Sequence, residues 1–104
     1  MSEIRILPAV LMDLAEAAAW YDEKGHVGLG ERLISAFYAS LPKIERSGEA
    51  YRVTYLDFRK VIIRPFPYSV YFRRHDAIWV VVLVIHAARE PSLAHSLLRD
   101  RRST

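Results

Sequence analysis

Nine consecutive residues, Ile78 to His86 (IWVVVLVIH), carry apolar side chains at odd and even positions alike until the closing histidine. A strand sends successive side chains to opposite faces, so such a run cannot leave either face in water. It predicts a central strand covered on both sides, by its own chain or by a partner. As a helix it is too short for a bilayer, which needs about 20 apolar residues.

The remaining sequence has to supply that strand's neighbours. Residues Glu3 to Leu7 give a short β signal that Pro8 ends by removing a backbone donor. From Ala9 to Lys24 alanine and leucine dominate, predicting a helix with Leu11, Leu14, Ala18 and Tyr21 on its apolar stripe. Asp13, Glu16 and Glu23 fall largely off that stripe, and Gly25 stops the helix. A second helix is expected over Gly28 to Arg46, with Leu29, Leu33, Phe37, Leu41 and Ile44 at helical spacing. Pro42 predicts a kink or break in it, because proline donates no bond and crowds the carbonyl four residues back. Together the two helices read as an antiparallel hairpin.

After the loop signal Ser47-Gly48-Glu49 the period changes to two. Tyr51 to Asp57 reads as an irregular edge strand. In Phe58 to Arg64, Val61 and Ile63 take one side and Lys60, Ile62 and Arg64 the other. Pro65 to Pro67 forms a corner, and Tyr68 to Arg73 sends Tyr68, Val70 and Phe72 one way and Ser69, Tyr71 and Arg73 the other. A turn over Arg74 to Ala77 leads into the apolar run. Ser92 to Arg102 either adds a short helix on Leu93, Leu97 and Leu98 or frays. The expectation is one α+β domain over residues 1–104, in which an N-terminal strand and a helical hairpin precede an antiparallel sheet, in the order β-α-α-β-β-β.

Charge is uneven along the chain. Residues 1–58 hold six Lys/Arg and nine Asp/Glu, whereas residues 59–104 hold nine and three. The C-terminal half therefore suits an acidic partner. Absence of cysteine excludes disulfides and thiolate metal sites. The start, MSEIRILPAV, has no basic region followed by a long apolar core, so a cytoplasmic protein with no membrane contact is expected. His26, His75, His86 and His95 show no ligand spacing, and no cofactor motif is present, so neither metal nor cofactor is expected.

Several segments together resemble the RelE/ParE superfamily of toxins from type II toxin–antitoxin modules, often called plasmid stabilisation proteins. They are Asp13-Leu14-Ala15-Glu16-Ala17 with Trp20-Tyr21, the Gly28-Leu29-Gly30 entry to the second helix, Arg64-Pro65-Phe66-Pro67-Tyr68-Ser69-Val70-Tyr71-Phe72, and Val84-Ile85-His86-Ala87-Ala88-Arg89-Glu90-Pro91. The likeness covers nearly the whole chain, and the Phe-Pro-Tyr segment is its most specific part. Ala94 and Leu97 stand near positions where many relatives carry tryptophan and arginine, so the family's tail contact is not expected here.

The resemblance implies a growth-inhibiting toxin neutralised by a cognate antitoxin. Two modes are open. ParE-like members poison DNA gyrase by protein contact and need no acid or base; this mode is slightly favoured. RelE-like members cut mRNA on the ribosome, and there Arg64 and Arg73 would supply cations, Tyr71 a stacking surface or proton, and His86 an imidazole that titrates near neutrality. In a protein-contact mode Trp20, Arg59, Arg64, Arg73 and Arg89 would bind the partner. A third reading is a non-toxic nucleic-acid-binding domain. Plainer roles stand beside these: Tyr68 as core, His86 as a hydrogen-bonded structural residue, Arg64 as an anchor to Asp13 or Glu16, and Arg89 as a strand cap. All three functional readings expect the hairpin on one face of the sheet and a cationic second face open to a macromolecule.

Overall fold

The computed structural model describes residues 3–89 and 91–102. Strand β1 (Glu3–Ile6) leads through Leu7 into helix α1 (Pro8–Glu23), followed by α2 (Leu29–Ser47) and a single 3-10 turn over Gly48–Ala50. Then come β2 (Val53–Tyr55), β3 (Phe58–Ile62), β4 (Tyr68–His75), β5 (Ile78–His86) and α3 (Pro91–Arg102). The domain is α+β as expected, but four strands, not three, follow the hairpin, and the arrangement differs in three further ways.

First, the sheet is mixed. Its order is β1-β5-β4-β3-β2, and β1 runs parallel to β5, with Glu3 opposite Ile78 and Ile6 opposite Val81. The helical hairpin is the crossover that brings the chain back in the same direction, since parallel neighbours need a long connection. Second, α2 runs unbroken through Pro42. Pro42 is exposed while Phe37 and Ile44 are fully buried, so packing on either side of it holds the helix together. Third, residues 91–102 form a docked helix, α3, that does not fray.

The hairpin covers one face of the sheet. Val10, Leu14, Ala17 and Tyr21 of α1 and Leu33, Phe37 and Ile44 of α2 meet Val70, Phe72, Trp79, Val81 and Val84. Each Val, Leu, Ile or Phe among them stabilises the fold by roughly 1.5–3 kcal/mol relative to exposure. The buried stripe of α1 is rotated from the expected one: Leu11 is 48% exposed, and Val10 and Ala17 take the inward positions. A helix apolar on almost every side does not fix its own rotation, and the hairpin contact decides it. Gly28 enters α2 at φ 83°, and Gly30 lies so close to α1 that an added Cβ would stand 2.8 Å from the Ala18 carbonyl oxygen. The Gly-Leu-Gly entry is therefore a turn followed by a close helix crossing.

The second face is covered as well, by α3. Ala94 and Leu98 lie on Phe58, Tyr71, Val82 and Leu83 in a smaller core. A bulge in β5 makes this possible: Tyr71 pairs with Leu83 but Phe72 with Val81, leaving Val82 extra and turning it to the same face as Leu83. The apolar run is thus covered on both sides, as its pattern demands. Among the described residues no helix is long and apolar enough to cross a membrane.

Candidate functional site

Beyond Val81 the outer edge of β5 has no strand beside it, because β1 stops at Ile6. Two side chains cover that edge. Asp13 Oδ2 accepts the Val84 N–H at 3.1 Å, and Arg101 Nη1 donates to the Val82 carbonyl at 3.0 Å. Arg101 also grips Asp13 with both Nη atoms, at 2.7 and 2.9 Å. Their side chains are only 14% and 18% exposed. This joins α1, β5 and α3 in one network, and Asp13's bond and charge push the Arg101 pKa still higher despite its burial. The plainer role considered for Arg64, an anchor to Asp13 or Glu16, is not observed: Arg101 holds Asp13, and Arg64 pairs with neither acid.

The expected open cationic face is corrected in two respects. First, α3 lies on it. Second, cations on both faces of the sheet are engaged within the molecule, Arg73 on this face and Arg59 and Arg74 on the hairpin face. Arg59 donates from Nη1 to the Glu49 and Tyr51 carbonyls at 3.1 and 2.6 Å. Arg73 Nε bonds Asp57 Oδ2 at 3.0 Å. The other oxygen, Asp57 Oδ1, is buried without a hydrogen bond and lies 3.4 Å from Arg102 Nη2, an ion-pair contact only. Arg74 pairs with Glu49 and lies 4.8 Å from the Trp79 ring. By contrast, the guanidinium groups of Arg64 and Arg89 have no hydrogen bond or ion pair among the described residues.

The four residues considered for RNA cleavage do not meet at one point. Tyr68 pairs with His86 across β4 and β5, and Arg73 lies five residues further along β4. At about 3.4 Å per residue this separates Arg73 from His86 by about 17 Å along the sheet. Arg64, just past β3, lines neither cleft described below. Tyr71, expected to be accessible, is 8% exposed beneath α3. Burial pushes its pKa above 10.0, so its phenol is a neutral donor and no base at neutral pH.

Two clefts flank the end of β5, with His86 and Arg89 between them. The larger, about 440 Å³, is lined by Glu16 and Trp20 of α1, Tyr68 and His86 of the sheet, and Leu93 and Leu97 of α3. Its Tyr68 packs against Tyr21 and His86, at 6.4 and 5.2 Å between ring centroids, and fills the core position expected for it. Burial foremost, then the Tyr21 phenol, raises the Tyr68 pKa above 10.0, while Arg89 pulls it down. Trp20 is 48% exposed at the rim, whereas Leu11 and Met12, also exposed on α1, line neither cleft. The smaller cleft, about 200 Å³, lies under the first turn of α3 and is lined by Lys60, Ser69, Tyr71, His86, Arg89 and His95 among others.

His86 has a structural bond: its Nδ1 accepts the Ala88 N–H at 3.0 Å, which leaves Nε2 to carry the proton of the neutral ring. His95 stacks on Tyr55 at 3.8 Å between centroids. Lys60, Ser69 and His95 were not singled out as site residues from sequence. The alternation that placed Lys60 and Ser69 on the second face was the available signal, but nothing local showed that α3 would roof it. Among the described residues no group of three His, Asp or Glu side chains could hold a metal ion. Compared with known proteins, the chain matches no family model, and no curated protein matches it significantly.

Proposed function

We propose that this protein is the toxin of a type II toxin–antitoxin pair, acting in the bacterial cytoplasm by protein contact, in the manner of ParE-like gyrase inhibitors, and neutralised by a cognate antitoxin. The observation that carries the choice of mode is the dispersal of the candidate catalytic set. Arg73 is about 17 Å along the sheet from His86 and committed to Asp57, and Tyr71 keeps its proton. General acid–base cleavage needs groups within hydrogen-bond reach of one phosphate. Protein contact needs only a surface, and Trp20 at the rim of the larger cleft supplies an exposed aromatic anchor beside a concave one. Arg64 and Arg89 remain as cations for an acidic partner segment.

Induction of the protein alone in a bacterial host should arrest growth and raise an SOS response with mRNA intact, and purified protein should inhibit supercoiling by gyrase. Co-expression of a small acidic protein encoded beside its gene should restore growth, and Trp20→Ala should weaken that rescue. Unaffected growth at good yield of folded protein overturns the toxin reading. New mRNA ends phased to ribosome-occupied codons overturn the protein-contact mode in favour of RelE-like cleavage.

A further inference from the structure

Among the described residues four have a left-handed backbone, and one of the four is unexpected. Gly25 and Gly28, at φ 78° and 83°, have no Cβ to clash, and Asp76, at φ 57°, is of a residue type that visits this region. Leu56, at φ 51°, is not. The comparison with Asp76 is direct, because both stand first in a two-residue hairpin link. Asp76 and Ala77 join His75 to Ile78, and Leu56 and Asp57 join Tyr55 to Phe58. That position normally takes glycine, asparagine or aspartate. Burial of the side chain does not offset the backbone cost, since Leu56 is 50% exposed and belongs to neither core. A single exposed leucine is ordinary, but one held exposed in a backbone conformation that disfavours it is not.

The residues on either side of Leu56 are held from β4 and α3. His95 stacks on Tyr55 at 3.8 Å between ring centroids, and Arg99 Nη1 donates to the Tyr55 hydroxyl at 2.8 Å. Asp57 accepts from Arg73 Nε at 3.0 Å and lies 3.4 Å from Arg102 Nη2. We propose that the Leu56 tip is the anchor by which this protein engages its target, seated in an apolar pocket of another protein. An anchor already fixed in the free protein loses little further freedom on binding, which is the gain that accounts for its backbone cost. The chemistry of the tip selects the class of partner. An isobutyl group neither pairs with phosphate nor offers a ring for base stacking, and the arginines beside it are committed to Tyr55 and Asp57, so the tip suits a protein and not a nucleic acid. Leu56 lines neither cleft, and β2 is the sheet edge opposite β1, so the tip is separate from the antitoxin contact proposed at Trp20. The inference rests on the protein-contact reading of the proposed function and specifies where that contact is made.

The test sets the urea unfolding midpoint of the whole protein beside the concentration at which it half-inhibits supercoiling by purified gyrase. Leu56→Asn should unfold at a higher urea concentration than the parent, because asparagine accepts the left-handed backbone. It should nevertheless need about tenfold or more protein for the same inhibition, as for loss of one buried leucine side chain from an interface. Leu56→Met, which keeps an apolar anchor of similar volume, should inhibit within about threefold of the parent. Asp76→Leu places the same side chain at the equivalent point of the other hairpin, so it should lower the midpoint and leave inhibition unchanged. Inhibition by Leu56→Asn at the parent's concentration, a lower midpoint for that variant, or an unchanged midpoint for Asp76→Leu overturns the proposal. A parent protein that leaves gyrase uninhibited defeats the proposed function itself, and the Leu56 anchor falls with it.

Discussion

The two ends of the β4–β5 ladder treat their cations in opposite ways. At the hairpin-turn end, Arg59, Arg73 and Arg74 are taken up by two backbone carbonyls, Asp57 and Glu49. At the other end, Arg64 and Arg89 have no carboxylate partner among the described residues. The difference lies in which chain segment wraps each end. The link between α2 and β3 carries Glu49 and Asp57 past the turn end, whereas the β3–β4 corner, Arg64-Pro65-Phe66-Pro67, brings no acid. Summed charge over half a chain therefore overstates what a partner meets, and only the open end presents its excess to one.

The comparison depends on α3 staying where it is, since that helix roofs the smaller cleft. Arg101→Ala is expected to have the largest effect, a loss of about 3 kcal/mol in folding stability, because it leaves Asp13 mostly buried without its partner and the Val82 carbonyl without a donor. Denaturant unfolding monitored by Trp fluorescence measures it. A loss below about 1 kcal/mol, the range of a surface pair, would mean that α3 is held by its apolar contacts alone and that the two ends differ for another reason.

How far the sequence revealed this arrangement depends on the range of each interaction. Patterns with a local period were legible: the doubly apolar Ile78–His86 strand is central, Tyr68, Val70 and Phe72 face the hairpin, and Lys60 and Ser69 face away from it. The Gly28 and Gly30 pair marked a tight turn and a close crossing. Contacts without a period were not legible. Asp13 and Arg101 lie 88 residues apart, and each reads alone as a solvated charge on its own helix. Parallel pairing of β1 is likewise invisible in four residues, because the choice of neighbour is made by the crossover. The candidate site inherited both outcomes: its strand residues were readable by face, whereas its roof, and so the burial of Tyr71, came from a helix whose docking the sequence left open.

The buried phenols of Tyr68 and Tyr71 sharpen the comparison by pH. Folding raises both above their ordinary 10.0, so the unfolded chain ionises first as pH rises. Their stabilising contribution is complete below pH 10.0 and is lost as pH climbs through the folded-state values. Each phenol should steepen the loss of stability above that point by at most about 1.4 kcal/mol per pH unit. Tyr71→Phe should flatten the decline measured by urea unfolding between pH 10 and 11 (about one unit past the ordinary phenol value). An unchanged slope would show that Tyr71 is open to water in solution and that α3 does not close over it.

The smallest effects separate the two ends most directly. Arg73→Ala removes a bond to a half-buried Asp57 whose other oxygen already lacks a hydrogen bond, so a loss of about 1 kcal/mol is expected. Arg64→Ala and Arg89→Ala remove cations that hold nothing in place, and each should stay within about 0.5 kcal/mol of the parent. With one cation removed in every case, net charge changes equally, so general repulsion within the basic half cannot produce a difference. Measured side by side in the same buffer, equal losses would mean that the ion pairs at the turn end contribute no more than solvated side chains do. A stabilising Arg89→Ala would point the other way. It would show that the open end holds uncompensated positive charge at a cost to the fold, the condition under which an incoming anion stabilises the protein by binding there.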